Sequence, residues 1–129
     1  MNQYIPELSK QYKDKIIIIT GSTQGSGAET AKLLAHRGAA GITICGRNEK
    51  QGLQVKSEIE SIGCKCIYVK ADLNEVEECQ NIVRKTDATF GKINSLINVA
   101  GFTERGTILS TTIDNYNKNF NINTRAPFL

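Results

Sequence analysis

The chain has 129 residues, enough for one compact domain, and its 40% hydrophobic and 22% charged residues are ordinary for a soluble globular protein. A net charge of +3 is too small to argue for nucleic acid or an anionic membrane as partner. No apolar run approaches the ~20 residues that a membrane-spanning helix needs.

Residues 1–14 mix polar, charged and apolar side chains and lack a signal-peptide core, so they read as a leader covering the edge or end of a sheet, and a cytoplasmic address is expected. Residues 15–129 form one domain. Its first strand is Lys15–Thr20, a β-branched run of the kind buried on both faces in parallel sheets. A glycine-rich turn follows, then a helix from about Ser26 to Arg37 that Gly38 closes. Strand two is Gly41–Cys45. Asn48 caps a second helix running to about Ile62, with Val55, Ile59 and Ile62 on one face. Strand three is Cys64–Lys70. Asn74 with Glu77 suggests a capping box for a third helix, whose apolar side is Val76, Cys79, Ile82 and Val83 and whose end is near Phe90-Gly91. Strand four is Ile93–Asn98, and after a loop over 100–110 a fourth helix starts at about Thr112. This alternation predicts an α/β fold with a parallel sheet in the order 3-2-1-4, the first half of a doubly wound Rossmann-like arrangement. A ligand belongs at the carboxyl ends of strands one and four, where the winding reverses.

The chemistry-bearing residues cluster at those strand ends. In Gly21-Ser22-Thr23-Gln24-Gly25-Ser26-Gly27 the glycines permit a tight turn and leave room for a ligand, and the first amides of the next helix face that turn without helical partners. Free N–H groups with partial positive charge suit phosphate. A carboxylate after strand two would bind a ribose 2′-hydroxyl, but Gly46 and Arg47 stand there. A guanidinium with paired donors suits a 2′-phosphate at this position after the glycine turn, and a solvated loop arginine is the alternative. Asp72 follows strand three and would serve equally as a simple helix-entry cap. The four cysteines, Cys45, Cys64, Cys66 and Cys79, form no C-x-x-C pair and read as buried free thiols, and the single histidine, His36, reads as a surface residue, so no metal site is expected.

The T-G-x-x-x-G-x-G spacing resembles the short-chain dehydrogenase/reductase family, and so do Gly46-Arg47-Asn48, Ala71-Asp72-Leu73, Asn98-Val99-Ala100-Gly101 and the Asn123 segment, all in the family's order. The resemblance runs from Lys15 to Leu129. It implies NADP in preference to NAD, with Arg47 and Asn48 on the NADP-preferring side. Asp72 would accept a hydrogen bond from the adenine amino group, with Leu73 beside it. Asn98 would fix the strand end by bonding across the sheet and help shape the ribose pocket, and Ala100 and Gly101 would keep the nicotinamide side open. Asn123 would be the Asn of a catalytic tetrad, holding a helix kink and a water in a proton relay. By composition alone Asn123 is one more polar residue in an Asn-rich helix. Two departures are visible: Ser26 replaces a usual aliphatic residue, and Val99 replaces the second Asn of an N-N-A-G segment.

The family's Ser and Tyr-x-x-x-Lys are not in these 129 residues. The expectation is therefore the cofactor half of a longer NADP-dependent oxidoreductase, acting by hydride transfer on a small carbonyl or alcohol and forming a homo-oligomer, with the 129 residues alone inactive. Two rivals stay open. One is a non-catalytic nucleotide-binding or scaffold module. The other is a methyltransferase-like sheet, which suits the glycine turn but not Arg47 or the Asn98 segment. Phe102 to Gly106 would line one wall of the substrate side.

Overall fold

The structure, a computed structural model, describes residues 7–129. The expected leader therefore lies outside the described residues over 1–6. Its remainder holds a short 3-10 turn, Leu8–Lys10, and sits at the end of the first helix, where Tyr12 N–H donates to Arg37 O and Arg37 Nη1 donates to Gln11 Oε1.

The strands are β1 (Ile16–Thr20), β2 (Gly41–Gly46), β3 (Lys65–Lys70) and β4 (Ser95–Asn98), and the helices between them are α1 (Gly25–His36), α2 (Glu49–Ile62) and α3 (Val76–Phe90). All pairings are parallel and the order is β3-β2-β1-β4, as the sequence predicts. After β4 the chain forms α4 (Ile113–Phe120), a π-helical segment (Asn121–Arg125) and a final turn, α5 (Ala126–Phe128). Among the described residues no helix is long and apolar enough to cross a membrane.

Every residue of β1 is buried, and successive side chains serve opposite layers. Ile17 and Ile19 join Ala28, Ala31 and Leu34 of α1 and Val55 and Ile59 of α2 in one core, whereas Ile18 joins Cys45, Val69 and Ile82 of α3 in another. A strand packed on both faces favours β-branched apolar side chains at every position, and here the run is isoleucine until Thr20. Inside the α3 layer, the buried Thr43 and Thr86 hydroxyls bond each other at 2.8 Å, and Thr86 Oγ1 lies 2.7 Å from Ile82 O. Thr43 donating to Thr86, and Thr86 to the carbonyl, satisfies both hydroxyls in the core. Lys32 of α1 meets Glu58 of α2 at 2.6 Å, tying the two helices on the opposite layer.

Local signals set most boundaries. Asn48 caps α2 by accepting from Gln51 N–H, Thr112 caps α4 by accepting from Asn115 N–H, and Gly63 and Gly91 end α2 and α3 with positive φ. The expected capping box of α3 is not formed. Its N-cap is Glu75, without a side-chain cap bond. Asn74 is instead engaged from the other side by Asn121 and Arg125, so a tertiary contact displaces the local one. Only Cys79 and Ile82 of the expected apolar side of α3 are buried, while Val76 and Val83 are exposed.

All four thiols are free and buried. Burial pushes Cys45 and Cys66 up to about 12 and Cys64 up to about 11. In the unfolded chain thiols ionise near ~8.5, so between that value and about 12 the folded state holds more protons than the unfolded one. The stability these neutral thiols contribute is complete below pH ~8.5 and is lost as pH rises toward about 12. Urea midpoints at pH 7.5, 9 and 10.5 are expected to fall in that order, and Cys66→Ala to flatten the fall. A midpoint independent of pH across this range would contradict the burial of these groups.

Candidate functional site

The carboxyl end of the sheet opens into a cleft of about 330 Å³, bounded by the β1–α1 turn, the β2 end, the β3 end and the segment after β4. The turn leaves the strand at Gly21 (φ 63°). A Cβ on Gly21 would lie 2.7 Å from Ala100 Cα, and one on Gly27 would lie 2.2 Å from Gly21 O. Both neighbours are backbone, which cannot swing away, so the turn closes this tightly only with glycine at both positions.

The ladder of α1 begins with Ala28 N–H donating to Gln24 O. The amides of Gly25, Ser26 and Gly27 precede that bond, and Gln24 provides no side-chain cap. These are the donors a helix leaves free at its start, with the positive end of the dipole behind them, and the arrangement suits an anion in contact with the turn. Gly21, Thr23, Gln24, Gly25 and Ser26 all line the cleft. Ser22 does not. It is fully buried, with its N–H donating to Cys45 O, its hydroxyl donating to Ile19 O at 2.6 Å and accepting from Cys45 N–H at 3.0 Å. Gly27 is buried beneath Gly21 and also stays off the cleft wall.

On the β2 side, Gly46 and Arg47 line the cleft, and Arg47 is exposed with no ion pair among the described residues. Gly46 is pressed by Thr23: a Cβ there would lie 2.6 Å from Thr23 Cγ2 and 2.7 Å from its Oγ1. No carboxylate side chain fits at this position without moving Thr23. Asn48 lies off the cleft, occupied as the cap of α2. Tyr68 of β3 donates its hydroxyl to Gly46 O at 2.7 Å and holds the rim from below.

On the β3 side, Asp72 and Leu73 line the cleft. Asp72 Oδ1 accepts from Asn74 N–H at 2.9 Å, and Asp72 N–H donates to a Glu78 carboxylate oxygen. On the β4 side, Ala100, Gly101 and Phe102 line it. Here the structure differs from the sequence reading of Asn98. Its side chain makes no hydrogen bond among the described residues, and it borders a separate apolar hollow with Leu96 and Pro127. The bond across the strand ends comes from Thr20, whose hydroxyl accepts from Val99 N–H and Ala100 N–H, each at 3.2 Å. Thr20 lies opposite Asn98 in the register, so the neighbouring strand supplies what Asn98 was expected to supply.

Asn123 lies in the π-helical segment and does not line the cleft. Its Oδ1 accepts from Phe102 N–H at 2.8 Å and its Nδ2 donates to Phe102 O at 2.7 Å, so it holds both backbone groups of a residue that does. Of Phe102 to Gly106, only Phe102 reaches the cleft, and Lys118 Nζ sits 4.5 Å from its ring centroid. Cys45, Ala71, Val99 and Ile122 also form the wall, although the sequence gives none of them a role in the ligand site. The first three adjoin strand-end residues that the sequence does assign to it. Ile122 carries no sequence signal and is brought in only by the docking of its helix. Among the described residues no group of His, Cys, Asp and Glu side chains could hold a metal.

A family model described as short chain dehydrogenase matches residues 15–129. An uncharacterized oxidoreductase of Thermotoga maritima is 31% identical over 118 residues, which are 92% of this chain and 46% of that protein. A short-chain dehydrogenase of Burkholderia cenocepacia solved in complex with NADP is similar with a TM-score of 0.86 and 30% identity, over 91% of this chain and 48% of the other. An NADH-dependent reductase complexed with NAD gives a TM-score of 0.83 and 28% identity, over 92% and 50%. The chain thus spans about half the length of each of these three proteins.

The turn geometry generates a stability prediction. Gly27→Ala forces its methyl against Gly21 O and is expected to cost about 1–3 kcal/mol, the range for overpacking a site that cannot relax. Denaturant unfolding would measure it, and an unchanged midpoint would show that the turn yields more readily than its backbone contacts imply.

Proposed function

The chain belongs to the short-chain dehydrogenase family, and on that premise we propose that residues 15–129 form the NADP-binding part of an oxidoreductase that moves hydride between a nicotinamide and a small carbonyl or alcohol. The cleft residues suit the dinucleotide on three counts. The free amides of Gly25 and Ser26, which line the cleft, suit a pyrophosphate. Gly25, with φ 57° and open space where a Cβ would stand, keeps side-chain bulk off the exposed side of the turn. Asp72 and Leu73, on the β3 side of the cleft, suit an adenine, with the carboxylate as acceptor for its amino group.

The observation that carries the choice of NADP is the Gly46–Arg47 rim. A carboxylate there would accept from a ribose 2′-hydroxyl and repel a 2′-phosphate. Gly46 removes that charge, Thr23 fills the space its side chain would need, and Arg47 is free to pair a phosphate with two donors. Similar proteins have been solved with either dinucleotide, so the family alone does not decide between them.

The cofactor when bound supplies the hydride at its nicotinamide ring. This chain's part is to hold and orient it: the glycine turn grips the middle, the Arg47 rim the adenosine end, and Ala100 and Gly101 leave the nicotinamide end open. Asn123 fixes the Phe102 backbone beside that end. We assign the proton-transferring groups to a Ser and a Tyr-x-x-x-Lys outside these 129 residues, which contain no such motif. The exposed Tyr116, Phe120 and Phe128 side chains suit pairing of this helix with a second copy.

The test is a titration with NADPH and NADH. NADPH is expected to bind more tightly, and Arg47→Ala to weaken it about 10–100-fold while leaving NADH unchanged, since a hydrogen bond to a charged group is worth about 1.5–3 kcal/mol. NADH binding more tightly than NADPH, with Arg47→Asp leaving that ranking unaltered, would refute the assignment.

A further inference from the structure

The π-helical segment, Asn121–Arg125, touches both walls of the cleft. On one side, Asn121 Nδ2 donates to Asn74 Oδ1 at 3.0 Å and Arg125 Nη2 donates to Asn74 O at 2.6 Å. Asn74 in turn donates its N–H to Asp72 Oδ1 at 2.9 Å, and Asp72 and Leu73 line the cleft. On the other side, Asn123 takes both backbone groups of Phe102. Residues 121 and 125 are one turn apart and share a face, while residue 123 faces elsewhere. One helical turn therefore sends two arms to the loop after β3 and one arm to the loop after β4.

The bulge is part of the device. Ala126 N–H donates to Asn121 O, a bond spanning one residue more than an α-helical turn. π-bulges insert an extra residue and concentrate at functional sites. Asn in a helix interior is intrinsically unfavourable, yet Asn121 and Asn123 both spend their amides on distant loops. Arg125 is half-buried and its Nε is buried with no hydrogen-bond partner, so the guanidinium is held in place through the Asn74 carbonyl. That arrangement is poor for stability alone and good for placing a loop.

We propose that Asn121 and Arg125 are positioning residues for the adenine end of the cofactor: through Asn74 they set the Asp72 loop, and through the shared bulge they keep it in register with the Phe102 loop held by Asn123. The proposal rests on the NADP reading of the cleft. Neither residue lines the cleft, and both act through Asn74.

Two measurements test it. The first is ligand-free hydrogen exchange. Asn121→Ala with Arg125→Met is expected to speed exchange at residues 72–75 about tenfold or more, with β1 amides unchanged as the sign of an intact fold. Asn123→Ala is expected to speed exchange at 101–104 and to spare 72–75. The second is binding of adenosine 2′,5′-bisphosphate, which carries the adenine end and lacks the nicotinamide. The double variant is expected to lose about tenfold in affinity, and Arg125→Lys, which keeps a donor for Asn74 O, to retain most of it. Asn123→Ala is expected to bind the bisphosphate as the native chain does while losing affinity for NADPH. Unchanged exchange at 72–75 in the double variant, or native affinity for the bisphosphate, would overturn the proposal. Failure of the native chain to bind the bisphosphate would refute the NADP reading instead, and the exchange experiment would still decide whether Asn121 and Arg125 set the Asp72 loop.

Discussion

At the carboxyl end of β1, backbone meets backbone with no room for a side chain. Gly21 abuts Ala100, just past the end of the neighbouring strand β4, and Gly27 at the start of α1 sits against the Gly21 carbonyl. This double approach sets the angle at which α1 leaves the sheet. It thereby decides where the free amides of that helix point and how close the post-β4 segment comes to them. Larger residues at either glycine would push the strand ends apart and open the floor of the cleft.

The same strand ends are held by hydroxyls. Ser22 bonds the end of β1 to β2, with one oxygen accepting from Cys45 N–H and donating to Ile19 O. Thr20 bonds β1 to the segment after β4 through two amides. Parallel strands stop pairing where the chain turns away, which leaves amides and carbonyls without partners in a region shielded from water. Short hydroxyl side chains satisfy them and add little bulk. The cleft floor is thus rigid for two independent reasons, close backbone packing and a satisfied polar network. Rigid placement of donors is what anion recognition in such a cleft requires.

The walls are held differently. The β2 rim is closed by Thr23 against Gly46 and supported by Tyr68, contacts made within the sheet and its first turn. The loops after β3 and β4 draw in addition on a helical bulge far along the chain. One side of the cleft is therefore built from residues near one another in the fold's first half, and the other is braced as well by its last helix. That division explains why Asn74 abandons a local cap at α3 for partners 47 and 51 residues away.

Much of this is written locally. The isoleucine run, the glycine spacing, the Asn48 and Thr112 caps and the glycines after α2 and α3 depend on backbone preferences and burial period, which act over a few residues. Sequence reading therefore reached the strand order and the place of the cleft, and it named the turn, Arg47, Asp72 and Ala100 as residues that do meet there. It could not separate the lining residues from their supports. Ser22, Gly27, Asn48 and Asn123 look equivalent to their neighbours in the chain, yet they face the core, a cap or a loop. Nor could it see that Thr20 would take the bond expected of Asn98, or that Ile122 would reach the wall. Those outcomes depend on which side chain faces which across a sheet register and a docked helix, and that is decided by three-dimensional packing between segments tens of residues apart.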